Sequence, residues 1–115
     1  MQFLLMIYRD EAGMLSATKE TTDRTIAAYA AYTEAMKKAG VYVGANRLKP
    51  TTSATTVRSS AGKTSVSDGP FAETKEQLGG YYLIEAPDAD AALSWAARCP
   101  GAAQGAIEVR PVWTA

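Results

Sequence analysis

The sequence predicts an α+β fold with a ferredoxin-like antiparallel sheet, two helices on one face of that sheet, and an added β-hairpin. Two observations support this prediction. Short runs rich in β-branched and aromatic residues are typical of strands, and two longer stretches have the period of an amphipathic helix. Along the chain the order is strand, helix, strand, hairpin, strand, helix, strand, which is typical of an α+β sandwich.

The first strand and the first helix occupy the N-terminal part of the chain. Residues 2–8 ("QFLLMIY") form a short apolar run bounded by charge, and its length favours a strand. Residues 18–39 repeat at helical spacing, which predicts an amphipathic helix that ends at Gly40. The residues expected on the recurring face of this helix are Ile26, Tyr29, Ala30, Thr33, Met36 and Lys37. A second strand is predicted at residues 41–46.

A hairpin and a long strand follow. Residues 55–66 are predicted to form two short strands around a turn at residues 60–63. Residues 79–86 ("GGYYLIEA") are the strongest strand signal in the chain. The glycine pair at its start suits a bulge or a close backbone approach, and no phosphate-loop pattern accompanies it.

The C-terminal part is predicted to contain one helix and one strand. Residues 87–100 form the helix, with Asp88 as its N-cap and Pro100 as its end. The expected apolar side of this helix is formed by Leu93, Trp95, Ala96 and Cys99. Residues 106–113 alternate between apolar and charged side chains, which predicts a final strand.

Composition excludes several classes of function. At 115 residues the chain is one domain, residues 1–115, and its twelve basic and twelve acidic residues cancel, which argues against nucleic-acid and membrane partners. The chain has no histidine and one cysteine, so we expect no cofactor and no metal. The N-terminal apolar run is too short for a membrane span and has no basic leader, so we expect a cytoplasmic protein.

Two of the predicted strands are apolar on both faces, which bears on assembly. In the first strand Phe3, Leu5 and Ile7 alternate with Leu4, Met6 and Tyr8; later, Tyr81 and Leu83 alternate with Tyr82 and Ile84. Two helices can cover one face of a sheet, so the other face needs a second cover. We expect a homodimer through the sheet face that carries either Leu4 and Met6 or Phe3 and Leu5. In the alternative, the hairpin or the 9–17 loop folds over that face.

The segment Asp68-Gly69-Pro70-Phe71 has the chemistry of a rigid corner. The Asp68 carboxylate can accept backbone N–H groups of the following residues, Gly69 tolerates positive φ, and Pro70 restricts the turn. Phe71 is the large apolar residue there, so we expect it to anchor the loop in the core. Residues 72–77 ("AETKEQ") can then form a helical turn.

The chain resembles the DGPF-motif proteins of the wider YCII-related family. The resemblance runs nearly end to end through "LLMIYRDE", "AGVYVGANRLKPTTSATTVR", "SDGPFAETKEQLGGYYLIEAPDADAALSWAARCP" and "AIEVRPV". It implies a ferredoxin-like subunit that dimerises through its sheet, as in dimeric α+β barrels. It also implies a bacterial origin, frequently with genes beside extracytoplasmic-function sigma factors. It implies no established activity.

The family also bears on catalysis. Some relatives resemble small enzymes with a proposed histidine–aspartate pair, but this chain has no histidine, so Asp68 would lack that partner. Asp68 is the candidate acid–base group if there is catalysis.

Further polar and aromatic side chains are candidate contacts for a small-molecule ligand. The candidate ligand-binding residues are Tyr8, Arg9, Asp68, Phe71 and Tyr82. Four other cations could contact an anionic ligand: Arg47, Lys49, Arg58 and Arg110. Cys99, near a helix C-terminus, is expected to serve packing.

Two functions are compatible with these residues. One is a dimeric ligand-binding or accessory protein, linked to sigma-factor regulation through the family's gene neighbourhood. The alternative is a small cofactor-free enzyme with Asp68 as the acid–base group in a cleft at the dimer interface. The absence of histidine and of metal-ligand clusters favours the first.

Overall fold

The computed structural model describes residues 1–114 and has an α+β architecture. The strands are β1 (Gln2–Arg9), β2 (Tyr42–Arg47), β3 (Thr55–Ser60), β4 (Lys63–Asp68), β5 (Gln77–Glu85) and β6 (Ala106–Pro111). The helices are α1 (Glu11–Leu15), α2 (Lys19–Lys38) and α3 (Ala89–Arg98). Short 3-10 turns lie at Thr51–Ser53 and Pro100–Ala103. The predicted strands and both longer helices are confirmed, whereas α1 was not predicted.

Four strands form the main sheet in the order β2-β5-β1-β6, and every neighbouring pair is antiparallel. The two apolar strands, β1 and β5, are central, with Phe3 opposite Ile84 and Leu5 opposite Tyr82. β3 and β4 form a separate two-stranded sheet. Their turn has positive φ at both Ala61 and Gly62, which suits a two-residue hairpin loop.

Local capping sets the bounds of the helices. The Thr18 side chain accepts a hydrogen bond from the Thr21 N–H at 3.2 Å at the start of α2. Gly40, with φ of 73°, follows the end of α2, in agreement with the prediction. The predicted N-cap of α3 is also confirmed, because Asp88 Oδ1 accepts from the Ala91 N–H at 2.8 Å. Neither longer helix within residues 1–114 has the length and hydropathy of a membrane-spanning segment.

The core lies between one face of the main sheet and the two longer helices. Its buried residues are Phe3, Leu5, Tyr32, Met36, Tyr82, Ile84, Ala86, Ala92, Ala96 and Cys99. The Tyr32 ring contacts the Tyr82 ring edge-to-face, with 5.3 Å between centroids. The Tyr32 hydroxyl donates to the Trp95 carbonyl at 2.6 Å, so this side chain joins α2 to both β5 and α3.

Four predicted core positions and one predicted turn are wrong. Two of these positions, Ala30 and Lys37 on α2, are exposed. Ile26 is 54% exposed and Leu93 is 53% exposed. α3 buries the small residues Ala92 and Ala96 against the sheet. Leu93 follows Ala92 and is rotated by about 100° around the helix axis, so its side chain points away from the sheet. Ile26 lies at the rim of a cavity described below. Residues 72–77 do not form a helical turn before β5.

The two faces of the main sheet have different surroundings. Phe3 and Leu5 are fully buried on the helix side, whereas Leu4 and Met6 are half-buried on the opposite face. The hairpin does not cover that opposite face, since every residue of β3 and β4 except Thr56 is exposed. The 9–17 segment packs beside α2 on the helix side. Both predicted alternatives to a second copy are therefore wrong.

The buried tyrosines predict a loss of stability in alkali. Burial raises the pKa of Tyr29, Tyr32 and Tyr82 above the ordinary value of about 10. Above about pH 10 the unfolded chain loses these three phenol protons while the folded chain keeps them, so the free energy of unfolding must fall as pH rises. Urea unfolding between about pH 9 and 11 measures this fall.

Tyr82→Phe removes one of the titrating groups. We expect its free energy of unfolding to depend less steeply on pH in the same range than that of the wild-type protein. A wild-type stability that stays constant above pH 10 contradicts the prediction.

Candidate functional site

A cavity of about 550 Å³ lies between the main sheet and the N-terminal half of α2. The sheet contributes Ile7, Arg9, Ala45, Asn46, Arg47, Gly79, Gly80, Tyr81 and Tyr82. The helices and the segments that join them contribute Met14, Leu15, Ala17, Thr21, Thr22, Thr25, Ile26, Tyr29, Gly101 and Gln104. α1 forms one wall, which places the unpredicted helix at the site.

Small residues keep this space open. Thr21, Thr22 and Thr25 line the cavity from α2, whereas the C-terminal half of the helix buries Tyr32 and Met36 against the sheet. A Cβ atom on Gly101 would lie 2.6 Å from the Tyr29 hydroxyl, so larger residues are excluded there unless Tyr29 moves. The helix and sheet layers therefore pack tightly at one end and leave room at the other.

The glycine pair at the start of β5 shapes the same end of the sheet. Ile7 pairs with Gly80 and Tyr8 pairs with Leu78, so Gly79 is the extra residue of a β-bulge. A Cβ atom on Gly80 would lie 2.8 Å from the Asn46 carbonyl oxygen, which is too close for any other residue. The prediction of a bulge or close approach is confirmed.

Three hydroxyl groups and one thiol group near the cavity already have partners. The Tyr82 and Thr33 hydroxyls are hydrogen-bonded at 2.7 Å. The Cys99 thiol lies 4.0 Å from the Tyr29 hydroxyl. Burial raises the pKa of Cys99, so the thiol is protonated at neutral pH and is a poor nucleophile. Its predicted buried position is confirmed.

The structure brings together two of the five predicted ligand contacts. Arg9 and Tyr82 both line the cavity. Tyr8 does not line the cavity, because side chains alternate along β1 and Tyr8 points to the opposite face of the sheet. Its hydroxyl lies near the Met6 sulfur on that face. Asp68 is the last residue of β4 and Phe71 follows the hairpin, and neither is among the lining residues of the cavity. Of the four additional cations, Arg47 lines the cavity.

The comparisons with known proteins identify the family. The family model of the YCII-related domain matches residues 1–115. The chain belongs to the YCII-related family. It is 42% identical over 114 residues to the uncharacterized protein R00369 of Rhizobium meliloti (strain 1021), covering 97% of this chain and 92% of that protein. The narrower resemblance to DGPF-motif proteins within the family stays a prediction.

The segment Asp68-Gly69-Pro70-Phe71 of this YCII-related chain is held by other hydrogen bonds than those predicted. The Asp68 carboxylate accepts no hydrogen bond from residues 1–114 and is exposed. The Gly69 main chain instead holds the corner, since its N–H donates to the Ala54 carbonyl at 2.8 Å and its carbonyl accepts from the Thr56 hydroxyl. Backbone pairing at the base of the hairpin replaces the expected side-chain bond.

The expected core anchor of the same segment is also wrong. Phe71 is 75% exposed, and the Arg58 guanidinium lies 5.0 Å from the centre of its ring. The residues of the hairpin strands other than Thr56 are exposed, and Phe71 stacks on Arg58 of this hairpin.

Glu11 joins α1 to two segments beside the cavity, around Thr51 and around Gln77, a role that the sequence does not predict. Its Oε2 accepts from the Thr51 N–H at 3.0 Å, and its Oε1 accepts from the Thr51 hydroxyl. The Glu11 N–H donates to Gln77 Oε1 at 2.9 Å, and Gln77 Nε2 donates to the Thr74 carbonyl at 2.6 Å. The neighbouring acid Asp10 accepts from the Ala12 N–H at the start of the same helix. Only the tertiary fold therefore distinguishes Glu11 from its neighbour.

The site offers no ready metal ligands. Within residues 1–114, no three His, Cys, Asp or Glu side chains are grouped closely enough to hold a metal ion.

We predict that Glu11→Ala lowers the free energy of unfolding by about 1–3 kcal/mol, because the Thr51 N–H would lose its acceptor in a partly buried position. Glu11→Gln keeps one acceptor oxygen and should cost less. Urea unfolding of each variant measures the effect.

Glu34→Ala is the control, since Glu34 is exposed on α2 and should change the stability by less than about 0.5 kcal/mol. Equal stabilities of Glu11→Ala and Glu34→Ala would show that Glu11 does not hold the loops.

Proposed function

We propose that this chain is a bacterial, cytoplasmic ligand-binding or accessory protein that acts as a homodimer and binds a small molecule in the helix-side cavity. The cavity carries the proposal. Its volume of about 550 Å³ falls in the range of about 300–1,000 Å³ for small-molecule sites, and most of its lining is apolar. The charge of the chain is balanced, with twelve basic and twelve acidic residues, which argues against a nucleic-acid or membrane partner.

We propose a ferredoxin-like topology and a dimer formed by packing sheet on sheet. The strand order β2-β5-β1-β6 with alternate helical connections supports the topology. The apolar side chains of Leu4, Met6 and Leu83 on the face away from the helices support the interface, since they are half-buried in the single chain and would be covered by a second copy.

A link to sigma-factor regulation rests on the resemblance to the DGPF-motif proteins alone. The alternative function, a cofactor-free enzyme with Asp68 as the acid–base group at the dimer interface, has less support. Asp68 is exposed at the end of β4 and is not among the lining residues of the cavity.

Two substitutions at neighbouring positions of β1 test the dimer. Leu4→Asp places a charge on the face away from the helices and should halve the mass in solution. Leu5→Asp buries a charge in the core, where Leu5 is fully buried, and should prevent folding. Light scattering and circular dichroism measure the two effects. A wild-type mass near 12.2 kDa, that of one chain, at micromolar concentration rules the dimer out.

A fluorescent apolar dye tests the cavity. N-phenylnaphthylamine, which is neutral, should bind the wild-type protein with enhanced fluorescence. Thr22→Trp fills the cavity from α2 and should weaken binding about ten-fold or more. Ala31→Trp adds the same side chain at an exposed position on the opposite side of α2 and should leave binding unchanged. Equal affinities of the two variants, or no binding by the wild-type protein, contradict the proposed site.

A further inference from the structure

Among residues 1–114, the side chains that line the helix-side cavity carry positive charge and no negative charge. Arg9 and Arg47 are both lining residues, and none of the lining residues is Asp, Glu or Lys. This differs from the chain as a whole, in which twelve basic and twelve acidic residues cancel. A guanidinium stays charged at any physiological pH, so the cavity presents a permanent positive potential to a ligand.

In the part of the chain that the structure describes, neither Arg9 nor Arg47 forms an ion pair with a carboxylate. The ion pairs found among residues 1–114 use other cations, namely the N-terminal amine, Lys19, Arg24 and Arg110. The contact found for Arg47 is with the Met14 sulfur, 4.0 Å from its Nη2 atom, and a thioether is a weak acceptor. Most of the N–H donors of both guanidinium groups are therefore available to a ligand.

The two arginines enter the cavity from the strands on either side of β5. Arg9 is the last residue of β1 and Arg47 is the last residue of β2. β1 and β2 both run antiparallel to β5, so their C-terminal ends lie at the same end of the sheet. The positive charge is therefore concentrated at one end of the cavity.

The rest of the lining is suited to an apolar molecule. Ile7, Met14, Leu15 and Ile26 contribute aliphatic and thioether surface. Hydroxyl groups that could recognise a sugar are partly engaged, since Thr25 donates to the Thr21 carbonyl at 3.0 Å and the Tyr82 hydroxyl is paired with Thr33. A ligand that matches this lining has an apolar body and an anionic group at one end.

We propose that the cavity binds an amphipathic organic anion, a molecule with an apolar aromatic or aliphatic body and one carboxylate or sulfonate group, and that Arg9 and Arg47 bind the anionic group. This inference rests on the proposed function of the cavity and adds the chemical class of its ligand. Planar guanidinium groups suit such anions because they donate two parallel hydrogen bonds to a carboxylate or a similar oxyanion.

Two dyes that share one ring system test the inference. Anilinonaphthalene sulfonate and N-phenylnaphthylamine have the same apolar body, and the first carries a sulfonate. Fluorescence titrations give the Kd of each dye for the wild-type protein and for Arg9→Gln, Arg47→Gln and Arg58→Gln. Arg58→Gln is the matched control, because it removes the same charge from the hairpin, outside the lining.

We expect the sulfonate dye to bind the wild-type protein about ten-fold or more tightly than the neutral dye. Arg9→Gln and Arg47→Gln should each weaken sulfonate binding about ten-fold while the Kd of the neutral dye stays unchanged, which also shows that the cavity of each variant is intact. Arg58→Gln should change neither Kd. Added salt should weaken sulfonate binding more than neutral binding.

Equal affinities of the wild-type protein for the two dyes would overturn the inference while leaving the proposed binding site in place. The same conclusion follows if Arg58→Gln weakens sulfonate binding as much as the two cavity variants do. If neither dye binds the wild-type protein, the proposed function and this inference both fail. The comparison of the two Kd values for the wild-type protein does not depend on whether any variant folds.

Discussion

The packing of Tyr32 between the two longer helices and the sheet holds this fold together. Its ring lies edge-to-face on Tyr82 of β5, and its hydroxyl donates to the Trp95 carbonyl of α3. One side chain thus fixes the distance of α2 from the sheet and its position beside α3. Because its hydroxyl is buried with a partner, the contact combines apolar burial with a satisfied polar group. The position of the cavity follows from this contact.

The cavity exists because side-chain size decreases along α2 towards its N-terminus. Tyr32 and Met36 fill the space between helix and sheet at one end, and threonines occupy the corresponding positions at the other. Threonine is too small to reach the sheet when tyrosine has set the helix–sheet distance. Gly101 enlarges the same space, since a side chain there would meet the Tyr29 hydroxyl. Two arginines at the ends of strands then give this apolar space its charge.

The loops around the cavity are held by polar contacts, unlike the apolar core. Glu11 connects the start of α1 to Thr51, and Gln77 connects α1 to the segment before β5. These contacts hold α1, which forms one wall of the cavity, to the segments around Thr51 and Thr74. The hairpin takes no part in this arrangement, because its strands are exposed.

The sequence by itself determined the local structure of this chain and its family. Alternation and helical period predicted the strands and the longer helices, Asp88 predicted a cap, and the glycine pair of β5 predicted a close approach, because each signal depends on a few neighbouring residues. It also pointed to Arg9 and Tyr82. Only the tertiary structure decided that Leu5 faces the helices while Leu4 does not, and that Arg47 lines the same cavity as Arg9. It also decided that Phe71 is exposed and that Asp68 lies outside the cavity. Those outcomes depend on which strands become neighbours and on how far a helix stands from the sheet. The second of these is set by contacts between residues far apart in the sequence, such as Tyr32 and Tyr82.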